Sequence, residues 1–457
     1  MATKAVLLAA GRGRRIAPYH RVRPKALLPV ANRPLIRRTL DQLAACGVDS
    51  GVVVASPAFA SALAMELVSR PGFRVVVQAE PIGTAAAAAL ASEVVADEDA
   101  LVVLYADTLF AEADLAALVA PTADGVAGRV LGAAIASDRA RDFVCVDTAA
   151  GEVRAFWGHP RHGSARVAGA FLLSPSVRRY LRLNPGRGVR VEVGGMPPLE
   201  QDLCESLNLA LAAGARLAYR EASGHNVDLD KPWDILAANR AAVEERFACP
   251  GGEAFEGSLD PGARVEGTVC VEAGGRVEAG VVVRGRLWVG PRSVVRQGAI
   301  CEGDVMLGAD VRLEDYAKVE NCVIGDGSVV SHCAEVLGGV LMRNVWLMHH
   351  CELYGVLGDD VDIGAATVCG TLRFDDGETA HRVGGRWETP SIGANAAYLG
   401  DHVRTGVNVT ILPGRHVGPF SAVGPGIVVA EDVPEGTLVT LRQELDRRPF
   451  GPDRYGW

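Results

Sequence analysis

The chain has 457 residues, too many for one ordinary hydrophobic core, and 49% are apolar, enough to fill at least two well-packed domains. A formal net charge of -9 argues against a general binder of nucleic acid or of membrane surfaces. The ten cysteines form no Cys-x-x-Cys pair and no metal-ligand spacing, and no apolar run is long enough to span a bilayer, so the expectation is a cytoplasmic protein with reduced, mostly buried thiols.

The first candidate strand, Ala5–Ala10, is an apolar run of the kind buried in a parallel sheet. It turns at Gly11 and Gly13, where a missing Cβ lets the backbone approach a ligand. Arg12, Arg14 and Arg15 follow, and Lys25 stands after Pro24. A strand that ends in a glycine loop with free N–H groups and cations is suited to phosphates. The spacing is neither the Walker pattern nor the dinucleotide fingerprint, and two glycines alone would read as a tight turn.

Up to about residue 245, apolar runs alternate with helical stretches. Further candidate strands are Ser50–Ala55, Arg74–Gln78, Ala100–Tyr105 and Val130–Ala136; candidate helices are Leu35–Cys46, Phe59–Val68, Ala85–Val95, Ala111–Val119 and Glu200–Ala213. The alternation predicts a doubly wound α/β sheet, with ligands beyond the carboxyl ends of its strands. Gln78 and the Gly83-Thr84 pair follow the third strand, and Thr84 also suits the cap of the alanine-rich helix behind it. Asp107 follows the fourth strand, a usual place for a magnesium ligand and also for a turn residue. Asp228, Asp230 and Asp234 bracket Pro232, with Asp234 placed as a first-turn helix residue.

Near Cys249-Pro-Gly-Gly the pattern changes. Apolar positions step by six through Val265, Val271, Val277, Val283, Val289, Val295, Cys301, Leu307, Leu313 and Val319. The register slips to Ile324 and runs through Val330, Val336, Met342, Met348 and Tyr354. It slips again to Leu357, Ile363 and Cys369, then resumes from Leu399 through Thr405, Ile411, Val417 and Val423 to Val429. A six-residue period excludes a heptad coil and ordinary strand alternation, and predicts a parallel β-helix with residues 373–392 as an excursion loop.

Leu8–Gly11, Gly13, Arg15, Pro24–Lys25 and Leu28–Ile36 together resemble the signature of sugar-1-phosphate nucleotidylyltransferases. With the hexapeptide half, nearly the whole chain resembles the bifunctional enzymes of N-acetylglucosamine-1-phosphate synthesis and their archaeal relatives. The resemblance implies a Rossmann-like nucleotidyltransferase domain over 1–245, a left-handed β-helix over 252–440 and a tail over 441–457. It implies transfer of a nucleotidyl group from an NTP to a sugar-1-phosphate, with Mg²⁺ on Asp107 and Asp228 and with Asp230 as the alternative ligand. Arg15 and Lys25 join the two aspartates as catalytic residues. Leu8, Ala10, Gly11, Gly13, Arg14, Gln78, Gly83, Thr84 and Tyr105 would line the nucleotide. Gln78 would read the base, since an amide presents a donor and an acceptor side by side, which suits uracil, thymine or guanine.

Two departures stand out. Ala106 replaces the usual Gly before Asp107, and Gly158-His159-Pro160 replaces the usual Glu-Lys-Pro. His159 and Gly169 are then the expected sugar-phosphate contacts, and a modified sugar is the expected acceptor. In the bifunctional relatives the β-helix is an acetyl-CoA-dependent acyltransferase, for which His349 and His350 are candidates here. A non-catalytic nucleotide-binding regulator is the remaining alternative. Hexapeptide helices pack three-fold, so a homotrimer or a dimer of trimers is expected.

Overall fold

The computed structural model describes residues 2–121, 125–135, 142–158, 162–188, 199–248, 256–448 and 451. The N-terminal half is built on a nine-stranded sheet. Its order is Phe73–Val77, Gly51–Ala55, Thr3–Ala9, Ala100–Tyr105, Ala165–Leu173, Gly128–Ala134, Leu217–Glu221, Glu152–Trp157 and Cys145–Ala149. The first four are mutually parallel, and Ala165–Leu173 enters antiparallel to Ala100–Tyr105.

Alternation in these strands feeds two cores, one on each face. Val6, Val52, Val54, Leu101 and Val103 go to one; Ala5, Leu7, Val53, Val102 and Leu104 go to the other. Helix Leu35–Ala45 covers the second face with Ile36, Leu40 and Leu43, which share one helical stripe. The expected strands and helices are all present, with ends moved by up to three residues, as in Ala60–Glu66, Thr84–Ser92 and Leu203–Ala212. Helix Pro175–Arg182 and strand Leu217–Glu221 lie where no element was expected, and the helix after Pro232 runs on to Ala248.

The second half is a parallel β-helix of hexapeptide turns, consistent with the left-handed form. One face is a ten-stranded sheet from Ser258–Leu259 to Leu438–Val439, and a thirteen-stranded sheet forms the rest. Arg292, Asp310, Asn344, Asp360, His402 and Phe420 mark corners of successive turns with left-handed φ between 56° and 59°. Inward valines, leucines and isoleucines stack into a continuous core.

Turn length varies. Val283 pairs with Cys301, but Ile324 pairs with Leu341 and Leu341 with Leu357, so successive turns lose a residue. This corrects three expected core positions. Leu341, Leu347 and Leu353 point inward, not Met342, Met348 and Tyr354, because the turn shortens between Val336 and Leu341. Met342 and Tyr354 pack outward against the N-terminal half, and Met348 is exposed. The break at 373–392 is a long excursion carrying a small hairpin, His381–Val383 with Arg386–Glu388.

The two halves share a core. Tyr19, Leu28, Leu35, Trp233 and Leu236 pack with Trp288, Met306, Val323, Met342, Val356 and Tyr398 of the β-helix. Among the described residues no helix is long and apolar enough to cross a membrane.

Candidate active site

The parallel strands run out at one edge, where the glycine loop begins. Leu8 pairs with Tyr105, and its carbonyl accepts the N–H of Ala106 at 3.2 Å, which ties the loop strand to the Asp107 strand. Ala10 is buried. A Cβ on Gly11 would meet nothing within 4 Å, so the loop presents open space there. Gly13 has φ +60, a conformation that favours glycine, and a Cβ on it would lie 3.3 Å from Lys25 Cγ, so a side chain there would press on the lysine stem. Arg14 and Arg15 follow on a short turn pinned by buried Ile16.

Asp107 and Asp228 are set side by side by a two-strand ladder. Thr108–Phe110 pairs antiparallel with Asn226–Asp228, Thr108 opposite Asp228, and the Leu229 N–H donates to the Asp107 carbonyl at 2.9 Å. Lys25 Nζ lies 3.1 Å from Asp107 Oδ2 and 3.1 Å from Asp230 Oδ1. Arg15 Nη2 is 3.1 Å from the same Asp230 oxygen. Four expected catalytic residues, Arg15, Lys25, Asp107 and Asp228, thus come together with Asp230.

The electrostatics follow from crowding. Burial pushes the Asp228 carboxyl up to about 7, helped by Asp107, Asp230 and Asp234 and opposed by Lys25. Burial alone would lower the Lys25 pKa, but Asp107, Asp230 and Asp228 outweigh it and hold the ammonium charged. Asp234 opens helix Asp234–Ala248, as expected, and its Oδ2 accepts the N–H groups of Asp230 and Lys231 at 3.0 and 2.6 Å. Burial pushes its carboxyl up to about 7 as well.

Among the described residues no three His, Cys, Asp or Glu side chains are grouped to hold a metal by themselves. Mg²⁺ needs only one or two carboxylates when substrate phosphates complete its shell. The paired Asp107 and Asp228, whose mutual repulsion a cation would relieve, fit that requirement.

Gln78 is buried at the end of Phe73–Val77. Gly83 has φ +130, and a Cβ there would fall 2.3 Å from the Gln201 carbonyl oxygen. The chain is stitched to Gln201 on both sides, by Gln201 N–H to the Ile82 carbonyl at 2.7 Å and by Ala85 N–H to the Gln201 carbonyl at 2.8 Å. Thr84 does not cap its own helix. Its hydroxyl accepts the N–H of Leu203 at 2.8 Å, at the start of a different helix, because Gly83 sits against that chain. Tyr105 lies tilted on Phe171, ring centroids 5.9 Å apart, and Gly169 (φ +82) forms a bulge against Tyr105 and Thr108. The candidate sugar-phosphate contact His159 lies outside the described residues.

Sequence reading missed Arg23. Its guanidinium contacts Asp401 and lies 3.2 Å from Asp359, both on the β-helix. The only local signal is its place before Pro24-Lys25. His349 and His350 lie together with His332, ring centroids 5.1 to 5.4 Å apart. Beside His332 is a cleft of about 300 Å³ lined also by Arg312, Glu314, Trp346 and Met348.

A glycine loop and a lysine among carboxylates at the strand ends, with a hexapeptide β-helix behind them, are the arrangement expected of a nucleotidyltransferase joined to a β-helix. Residues 5–183 match the family described as the MobA-like NTP transferase domain. The whole chain is similar to a bifunctional sugar-1-phosphate nucleotidylyltransferase/acetyltransferase of Sulfurisphaera tokodaii, 26% identical over 95% of this chain and 98% of that one. It is similar too to a bifunctional protein GlmU of Methanococcus vannielii, 23% identical over 96% and 98%. A solved UDP-glucose pyrophosphorylase from Acinetobacter baumanii aligns with 54% of this chain and 94% of its own, at 18% identity and a TM-score of 0.44.

Proposed function

We propose that the protein transfers a nucleotidyl group from an NTP to a modified sugar-1-phosphate and releases pyrophosphate. The observation that carries this is Lys25, held 3.1 Å from both Asp107 and Asp230 with Asp228 alongside, beyond the strand ends and next to the glycine loop. In-line attack of the acceptor phosphate oxygen on the NTP α-phosphorus breaks the bond to the pyrophosphate oxygen and needs no protein nucleophile. Catalysis is then positioning and charge stabilisation. Lys25 neutralises the α-phosphate and the incoming phosphate; Arg15 and the Gly11–Gly13 amides hold the leaving pyrophosphate. Mg²⁺ on Asp107 and Asp228 would supply further neutralisation of the phosphate oxygens when bound. Gln78 and the Gly83-Thr84 turn face the base, and Tyr105 with Gly169 shapes the wall between base and acceptor. The domains are assigned as 1–245 and 252–440, and the setting as the cytoplasm.

The test is a matrix of NTPs against phosphorylated sugars and cyclitols, read by pyrophosphate release. Mg²⁺-dependent release with at least one pair supports the proposal; none across the matrix overturns it.

A second activity is favoured by the His332–His349–His350 cluster beside its cleft and by the similarity to the Sulfurisphaera tokodaii nucleotidylyltransferase/acetyltransferase. Acyl transfer from acetyl-CoA to an amino-sugar phosphate would draw on that face. Coenzyme A release that is abolished by replacing His349 and His350 supports it, and no release with any amino-sugar phosphate rejects it.

A further inference from the structure

We propose that Arg23 is a positioning residue that sets Lys25 in place through a clamp of two β-helix carboxylates, Asp359 and Asp401. This rests on the assignment of Lys25 to the reacting phosphates. Arg23 and Lys25 are separated only by Pro24, at φ -73 and ψ 154, whose ring removes one backbone freedom between them. A shift of the Arg23 backbone is therefore passed on to Lys25.

The clamp is buried and set on adjacent turns of the β-helix. The Arg23 side chain is 11% exposed and that of Asp401 is fully buried. Asp401 Oδ1 also accepts the Asp359 N–H at 2.8 Å, while its Oδ2 is buried without a partner. Among the described residues Arg23 is the cation paired with Asp401, so losing it strands a buried charge. Asp359 is itself fixed by the Arg343 backbone N–H and guanidinium, both at 2.9 Å. The two carboxylates stand one residue after Gly358 and Gly400, on turns that pair Leu357 with Leu399. The loop has a second anchor on the same turn, where the Tyr19 hydroxyl donates to the Val356 carbonyl at 2.7 Å.

A plain domain rivet would affect stability alone. A positioning clamp also changes Lys25, because misplacement of a catalytic group by about 1 Å can cost about 100-fold in rate. The test uses the full chain with Asp401→Asn, which keeps the shape and the oxygen that faces both the Asp359 N–H and Arg23, and removes the buried negative charge that holds the guanidinium. One readout is kcat and KM for pyrophosphate release. The other is acetylation of Lys25 by acetic anhydride without substrate, followed by peptide mass.

The expected result is Lys25 acetylation about 5-fold faster and kcat about 10-fold lower, with the KM for NTP changed less than about 2-fold. Wild-type values for both acetylation and kcat overturn the proposal. Faster acetylation in a protein whose wild type releases no pyrophosphate keeps the clamp and overturns the functional assignment. If Asp401→Asn does not fold, Asp359→Asn is judged by the same two readouts, since Asp359 is not fully buried and its charge is the other half of the clamp on Arg23.

Discussion

Lys25 gathers the charge of the site around one ammonium. Asp107 and Asp230 pair with it, Arg15 shares Asp230, and Asp228 lies alongside, its carboxyl pushed up to about 7 by burial. Asp107→Asn and Asp228→Asn are each expected to lower kcat by about 100-fold or more while the fold persists, since each removes a charged oxygen ligand. Circular dichroism beside a pyrophosphate assay checks this, and near-normal turnover would take that residue out of the site. Asp230→Asn is expected to cost less; the reverse ranking would make Asp230 the ligand. Gly13→Ala puts an L-residue at φ +60 and a methyl group 3.3 Å from Lys25 Cγ. The backbone cost is about 1 kcal/mol. The melting midpoint should therefore fall by a few degrees while kcat falls at least about 10-fold, because the methyl displaces the lysine itself.

Elements explain what the sequence could disclose. Asp107 and Asp228 were legible because each lies in a short local motif, at a strand end and shortly before the helix that Asp234 opens. The Lys25–Asp230 pair, with partners 205 residues apart, has no local signature. The cap reading of Thr84 fails for the same reason: its partner Leu203 is 119 residues on. In the β-helix, Leu341 and Met342 are both apolar, so period alone could not tell which faced inward once the turn had shortened. The excursion was legible only as a break. Its hairpin returns to the N-terminal half, where Lys231 pairs with Glu388 and the Trp233 ring lies 5.2 Å from His381.

That excursion also places His381 Nδ1 2.9 Å from His416 Nε2, with the other His381 nitrogen on the Ala394 carbonyl at 2.7 Å. Burial lowers both imidazoles, His416 to about 4; Asp432 opposes the shift, while Arg415 and, for His416, His381 reinforce it. A folded pKa below the unfolded value means that the unfolded chain binds more protons between about pH 4 and pH 6.5, so stability rises with pH across that window. The midpoint of urea unfolding should fall as pH drops from about 6.5 to about 4, and His416→Gln should flatten that fall. An unchanged slope in the variant would mean that other groups carry the acid sensitivity.

At the scale of the molecule, the β-helix has two kinds of outer surface. One is committed to the N-terminal half through the shared core around Trp288, Val323 and Tyr398. Another turns apolar toward its C-terminal end, where Val368, Thr410 and Val428 pair in successive turns. There Val368, Leu372, Phe374, Leu412 and Val428 are all exposed, Leu372 by 80% and Val428 by 57%. Exposed apolar side chains clustered in this way mark an association surface. Self-association along such a face, closed into a ring, would hide the patch on every subunit. The expected assembly is a trimer, with a dimer of trimers as its extension. Light scattering should give a mass of about three or six times 47.9 kDa. Val428→Glu with Leu412→Glu should shift the mass to that of the monomer while the melting transition remains cooperative, because both side chains point away from the β-helix core. A monomer in the wild-type protein at micromolar concentration would show that the patch serves something other than self-association.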